Sequence, residues 1–414
     1  MKMRIVPSSA DGAITAVSSK SYAIRAVLVA ATLSCNPVNI YGVFDCEDVL
    51  TAISCLTDMG TRIEKHEKYL TVYPIKNPVK SPALYVNESA ATYRFLLPVS
   101  AALGINARFI LAKSLENRPI APLLEALKPF GITYSDNVVQ GKLKTDEITV
   151  DGSLSSQFVS GLIFALSVIN KKSVLTVTGN TVSEGYIDMT KEVLQSFGVT
   201  VTKDENRYYI ERKPIDAEKY FVEGDWSGAA FHLCAGAIKG VVTVKGLNIN
   251  SLQKDKAILD VLSSYGAEII VENDCVTVKS NKRMPFTFNA EDCPDLVPAL
   301  AVIAAYAEGK SEIKGVSRLK IKESDRISEI ISMLDKAKIK AEFSNDKIIV
   351  YGGKVYGGNF ISADHRIVMA SAILARFAEK ESVVFDANAV KKSYPGFFDD
   401  YKLTGGNFCV DMAR

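Results

Sequence analysis

The sequence predicts an α/β protein of two domains, each assembled from three copies of one unit of about 70 residues. The prediction rests on the chain's length, on evenly spaced polar turns, and on the order of helix-like and strand-like runs between them. At 414 residues and 48% apolar side chains, the chain can fill one large core or two ordinary ones. Two domains of about 200 residues fit the way cores grow with chain length.

Each unit opens with a turn of polar or small residues. A helix-length run of small apolar residues follows, and then a β-branched strand. The turns fall at Lys20, Ser89, Ser155, Ser227, Asp295 and Asp364, at intervals of 69, 66, 72, 68 and 69 residues. Coincidence is a poor account of five intervals this close, so an internal repeat is the better reading. Two copies remain alike in sequence, VDGSLSSQF from Val150 and VEGDWSGAAF from Val222. The first five units continue into a second, amphipathic helix. Four of these helices end at Gly60, Gly131, Gly198 and Gly266, where a C-cap glycine is expected, and Lys338 holds that place in the fifth. The sixth copy is expected to lack most of its second half. Helices at this spacing cover sheet faces, which sets the α/β class.

Composition excludes several function classes. The formal charge of +2 supplies no global field for nucleic acid or a membrane surface, so anion binding must be local. The N-terminal MKMRIVPSSADGAI lacks the apolar core of a signal peptide. The longest apolar stretch, Leu296 to Ala307, is too short to span a bilayer and contains Pro298. Seven scattered cysteines without a CxxC pair, and three histidines, argue for reduced thiols and against a zinc site. A soluble, cytoplasmic protein without metal is expected.

The unusual residues gather where the first helix of each repeat begins: Lys20-Ser21, Glu88-Ser89-Ala90-Ala91, Ser155-Ser156-Gln157, Asp225-Trp226-Ser227, Asp295 and Asp364-His365-Arg366. A helix N-terminus offers unpaired backbone N–H groups and about half a positive charge, which suits an anion. Ser and Asp at such places are often ordinary N-caps. Capping leaves the cations unexplained. Lys20 and Arg25 interrupt apolar sequence, Arg366 enters a helix, and Arg118 precedes Pro119, a good first helical residue. Lys322-Glu323-Ser324-Asp325-Arg326 opens another helix with four charges of mixed sign. The pattern points to a site for small polyanions.

These residues resemble the 3-phosphoshikimate 1-carboxyvinyltransferases, or EPSP synthases. The resemblance runs from KSYAIR at Lys20 to KKSYPGFF at Lys391. Between them lie NRPI ending at Ile120, SSQF from Ser155, SEGY from Ser183, PDLVPAL from Pro294, KESDR from Lys322 and ADHR ending at Arg366. It implies the two-domain enolpyruvyl transferase fold, with six βαβαββ repeats in two pseudo-threefold domains, an inside-out α/β barrel. One domain is then expected over residues 18–223 and the other over 1–17 plus 224–414, with helix ends facing a cleft that closes on substrate.

The reaction implied is transfer of the enolpyruvyl group of phosphoenolpyruvate to the 5-hydroxyl of shikimate-3-phosphate, by addition and elimination with release of phosphate. No cofactor is implied, and a monomer acting on small anions, with neither nucleic acid nor membrane as partner, is expected. Carried over by position, Lys20, Ser21, Arg25, Ser155, Ser156, Gln157, Ser183, Tyr186, Asp295 and Lys322 resemble contacts of shikimate-3-phosphate. Lys20, Ala90, Arg94, Arg118, Gln157, Arg326, His365, Arg366 and Lys392 resemble contacts of phosphoenolpyruvate. Asp295 would be the base, Glu323 the acid, and Lys20 a participant in proton transfer. Guanidinium groups suit this substrate because they clamp a phosphate and a carboxylate in fixed orientation.

Some positions depart from the common family pattern. Glu88-Ser89-Ala90-Ala91 stands where asparagine-x-glycine-threonine is frequent, Arg318 replaces a frequent asparagine, and Glu184-Gly185 replaces a basic-proline pair. The resemblance also places Ala90 beside the pocket that the herbicide glyphosate shares with phosphoenolpyruvate. The rival readings are an enolpyruvyl transferase acting on UDP-N-acetylglucosamine and a non-catalytic anion-binding module on the same fold. The cysteine-bearing loop of the UDP-sugar enzyme has no counterpart here, since Cys46 and Cys55 read as buried thiols beside an amphipathic helix.

Overall fold

The structure, a computed structural model, describes residues 1–43, 45–169, 172–213 and 217–411. It divides into two compact units, Met1–Val17 with Glu223–Arg414, and Ser18–Val222. Each has its own apolar core.

Among the described residues the strands form six four-stranded sheets, three in each unit. One ladder recurs in all of them. In the third repeat Glu147–Asp151 runs parallel to Lys172–Thr178, which pairs antiparallel with Arg207–Arg212, which in turn pairs antiparallel with Val199–Asp204. The helix Ser156–Ile169 joins the first two strands, and Gly185–Ser196 joins the second and third. This is the βαβαββ order.

Burial explains the layering. The helices Trp226–Ile238 and Val297–Ala305 are buried at every position, and Lys20–Leu33 and Ala90–Leu103 at nearly every one. A helix apolar all round cannot lie on a surface. These first helices therefore pack on one another at the centre of each unit, while strands such as Ala83–Asn87 and Glu147–Asp151 alternate buried and exposed residues outside them. Small residues permit the crowding. A Cβ placed on Gly161 would sit 2.4 Å from the Arg94 carbonyl oxygen of the neighbouring helix.

Three sheets borrow a strand from elsewhere in the chain. Ala10–Thr15 lies parallel to Gly240–Lys245, although it precedes the helix Lys20–Leu33. Lys219–Phe221 lies parallel to Val38–Tyr41, although it precedes Trp226–Ile238. In the sixth repeat Lys2–Val6 pairs antiparallel with both Ser382–Val384 and Asn407–Asp411. The sixth copy therefore does not lack its second half. It has a short second helix, Phe397–Leu403, the strand Asn407–Asp411, and a last strand supplied by the N-terminus. Chain order concealed this, because the pairing joins the two ends of the sequence.

The left-handed helix ends lie where the sequence places them. Gly60, Gly131, Gly198 and Gly266 have φ of 110°, 74°, 80° and 95°, and Lys338 takes the same conformation at 63°. A side chain there costs about 1–2 kcal/mol that glycine avoids. Lys338→Gly, which also loosens the unfolded chain, is expected to raise stability by about 0.5–1 kcal/mol. Denaturant unfolding checks this, and a loss of stability would mean that the lysine stem contributes packing worth more than the strain.

Candidate active site

In the Ser18–Val222 unit two arginines, Arg25 and Arg94, are buried and donate to neutral oxygens. Arg25 is 2% exposed. Its Nε donates to Thr190 Oγ1 at 2.8 Å, Nη1 to the Ser21 carbonyl at 2.8 Å, and Nη2 to the Tyr186 carbonyl at 3.1 Å. The Phe95 ring lies 5.1 Å from the guanidinium. Burial lowers the Arg25 pKa to about 10, with Tyr186, Tyr22 and Tyr220 offsetting part of the effect, so it stays a cation at neutral pH. Arg94 donates to Gln157 Oε1 at 2.8 Å, to Ser155 Oγ at 3.4 Å and to the Pro119 carbonyl at 2.8 Å. It thereby aims Gln157 and ties the Arg118-Pro119 segment to the helix Ala90–Leu103.

Lys20 differs, because its ammonium lies 2.5 Å from Asp48 Oδ2 in the first turn of Glu47–Asp58. Ser156 opens the helix Ser156–Ile169, and Ala90 opens Ala90–Leu103 at 5% exposure. Ser183 is buried with φ of 53° just before the helix Gly185–Ser196, and such strain in a non-glycine residue often marks a functional turn. Neither Ser19 nor Ser89 caps its helix with its side chain. The backbone N–H groups at those two helix starts therefore take no side-chain cap.

The other unit holds a network of opposite charges. Arg326, 1% exposed, opens the helix Arg326–Lys336. Its Nε donates to Asp364 Oδ2 at 2.6 Å, Nη1 to Asp295 Oδ1 at 2.9 Å, and Nη2 to Glu323 Oε2 at 2.7 Å. The other oxygen of Asp295 accepts from Arg366 Nη2 at 2.9 Å, and Lys322 Nζ lies 3.9 Å from Oδ1. Burial would raise the Asp295 pKa, but Arg366, Lys322 and Arg326 outweigh it and hold the carboxyl well below the usual range. Burial likewise works against charge on Arg326, and Asp364, Glu323 and Asp295 more than restore it. His365 Nδ1 is 3.7 Å from Asp364 Oδ1, and Lys392 is buried at the end of Ala387–Lys392.

Some sequence expectations change here. Asp225 and Asp364 do cap their helices, accepting from the Gly228 and Arg366 backbone N–H groups, so capping explains part of their placement. Asp295 does not cap. Pro119 is not the first helical residue, because the helix begins at Ala121 with Pro122 next, and Arg118 lies in the preceding turn. Arg318 donates to the Glu291 carbonyl at 2.6 Å, and Glu184 pairs with Lys203 at 2.7 Å. Burial pushes the Cys46 and Cys55 thiols up to about 12, which leaves them protonated and poor nucleophiles. Sequence reasoning missed Asp48 and Thr190, partners contributed by the second helices, which carry no local signal.

The sequence model described as EPSP synthase (3-phosphoshikimate 1-carboxyvinyltransferase) matches residues 6–401. The chain belongs to the EPSP synthase family. It is 36% identical to the 3-phosphoshikimate 1-carboxyvinyltransferase of Clostridium kluyveri, over 97% of both chains. It is 35% identical to that of Clostridioides difficile, over 98% of this chain and 97% of the relative. The structure of EPSP synthase from Acinetobacter baumannii superposes with a TM-score of 0.83 at 23% identity, covering both chains completely. The enolpyruvyl transferase NikO from Streptomyces tendae superposes at 0.78 with 17% identity, over 99% of this chain and 98% of that one. The last two show a shared fold. No helix among the described residues is long and apolar enough to cross a membrane.

Asp364 is a structural member of the Arg326 network. Asp364→Ala removes the helix cap and one carboxylate from a buried guanidinium, and is expected to cost about 3–5 kcal/mol. Denaturant unfolding measures it, and a loss below about 1 kcal/mol would mean that Asp295 and Glu323 suffice for Arg326.

Proposed function

We infer that the family's reaction is run in this chain by Asp295, Glu323 and Lys20. The reaction moves the enolpyruvyl group of phosphoenolpyruvate to the 5-hydroxyl of shikimate-3-phosphate and releases phosphate. In the addition step the hydroxyl oxygen bonds to C2 while Asp295 takes its proton, and C3 gains a proton from Glu323, with Lys20 a participant in proton transfer. Elimination returns the C3 proton, and phosphate leaves C2. Arg118, Arg326, Arg366 and Lys392 are assigned to the anionic groups of phosphoenolpyruvate, with Ala90, Arg94, Gln157 and His365 lining that site. Ser21, Arg25, Ser155, Ser156, Ser183, Tyr186 and Lys322 are assigned to the acceptor.

The carrying observation is the ionised Asp295 between Arg326 and Arg366. A carboxylate so strongly paired is a weak base. When the phosphate and carboxylate of phosphoenolpyruvate compete for those guanidinium groups, Asp295 loses stabilisation and its proton affinity rises. Arrival of the substrate thus activates the base. Asp295→Asn keeps shape and most hydrogen bonds but cannot accept the proton, so kcat is expected to fall about 100-fold or more with smaller changes in affinity. Steady-state kinetics decide it, and kcat within a factor of a few of wild type would remove Asp295 from the mechanism.

Ala90 gives a second test. Its methyl group is buried at the start of Ala90–Leu103, and on the family resemblance it would crowd the pocket that phosphoenolpyruvate shares with the longer glyphosate. Crowding of this kind costs about 1–3 kcal/mol. Ala90→Gly is expected to tighten glyphosate inhibition roughly 5- to 150-fold relative to phosphoenolpyruvate binding. Equal inhibition constants, with lower thermal stability, would instead make Ala90 simply the better helix former.

A further inference from the structure

Thr190 lies in the second turn of the helix Gly185–Ser196 and is fully buried. A threonine inside a helix commonly bonds the carbonyl one turn back, and Thr190 Oγ1 does so, 2.9 Å from the Tyr186 carbonyl oxygen. That bond alone would satisfy the hydroxyl proton, yet two further groups converge on the same oxygen. Ser160 Oγ, also fully buried, lies 2.9 Å away on the helix Ser156–Ile169. Arg25 Nε donates to it at 2.8 Å from the helix Lys20–Leu33. A hydroxyl has one proton and two lone pairs. The carbonyl can only accept and Nε can only donate, so one assignment satisfies every contact. Thr190 donates to Tyr186 and accepts from both Ser160 and Arg25.

The hydroxyl is therefore a junction of three helices, with its whole hydrogen-bonding capacity in use. Arg25 is anchored at that junction. Its Nη2 donates to the same Tyr186 carbonyl at 3.1 Å, and its Nη1 to the Ser21 carbonyl at 2.8 Å. These bonds engage one N–H on each nitrogen, of the five that a guanidinium carries. They also tie the helix that follows Ser183 and carries Tyr186 to the helix that carries Ser21 and Arg25.

We propose that Thr190 is a positioning residue for Arg25: its hydroxyl holds Nε, fixes the guanidinium plane, and so presents the second N–H of each Nη to an anionic group of the acceptor. The proposal rests on the reading above that assigns Arg25 to shikimate-3-phosphate. Without the hydroxyl, Nε is a buried donor with no acceptor, and the guanidinium turns to regain one. A planar fork grips two oxygens only in its own plane, so a tilt weakens its hold on an anion. Phosphoenolpyruvate, assigned to other cations, is insensitive to that tilt.

The test compares wild type, Thr190→Val and Thr190→Ser, with kcat, KM for both substrates and thermal unfolding measured for each. Valine keeps the volume and loses the hydroxyl, whereas serine keeps the hydroxyl and loses the methyl group. Thr190→Val is expected to raise KM for shikimate-3-phosphate about tenfold and leave KM for phosphoenolpyruvate within about twofold. Thr190→Ser should hold both constants within about twofold, with some loss of thermal stability from the missing methyl group. A merely structural role predicts that serine is the worse substitution, or that both KM values move together. Either result overturns the proposal. If valine prevents folding, Thr190→Ala against Thr190→Ser makes the same comparison, because both lack the methyl group and differ in the hydroxyl. Arg25→Gln separates the two ideas. It should raise KM for shikimate-3-phosphate, and adding Thr190→Val to it should raise that constant no further. A further rise in the double variant means that Thr190 acts independently of Arg25, which overturns the positioning role. If Arg25→Gln raises KM while Thr190→Val behaves as wild type, only the positioning role fails. If Arg25→Gln leaves KM unchanged, the reading of Arg25 fails and takes the proposal with it.

Discussion

Arg326 is the residue on which the charged half of the site depends. A guanidinium at 1% exposure cannot be left unpaired, and it draws Asp295, Glu323 and Asp364 onto its three nitrogens. Each carboxylate belongs to a different local feature: a 3-10 turn, the approach to a helix, and a helix cap. One buried charge therefore sets the relative placement of three segments far apart in sequence. Together with Arg366 and Lys322 it keeps Asp295 ionised.

The opposite arrangement holds in the Ser18–Val222 unit. Arg25 and Arg94 are oriented in part by carbonyl, hydroxyl and amide oxygens. Where Asp225 and Asp364 cap helices with their side chains, Ser19 and Ser89 do not. A near-neutral chain can bind two polyanions because charge imbalance can be local.

The fold makes both arrangements possible by burying the first helix of each repeat on all sides. Strands on the outside absorb the sheet edges and hairpins, and the helix starts become the interior positions where polar groups must be justified. Gly161 shows the cost of that crowding, since the Arg94 carbonyl approaches too closely for any side chain. The same approach places Arg94 against Gln157.

The sequence by itself determined the repeat, its period, the α/β class and the left-handed helix ends, even at Lys338, because all of these follow from residues within one turn or one apolar run. It also carried the family's strings, and with them a set of candidate site residues. Tertiary structure alone decided which of those residues face each other. The Asp48–Lys20 pair, the Thr190 bond to Arg25 and the Arg366–Asp295 pair join repeats or elements that sequence patterns treat independently. It also decided that Lys2–Val6 completes the last repeat and that Asp225 and Asp364 spend an oxygen on capping. Local chemistry writes itself into neighbouring residues, whereas the pairing of buried charges is settled only when distant segments compete for the same interior.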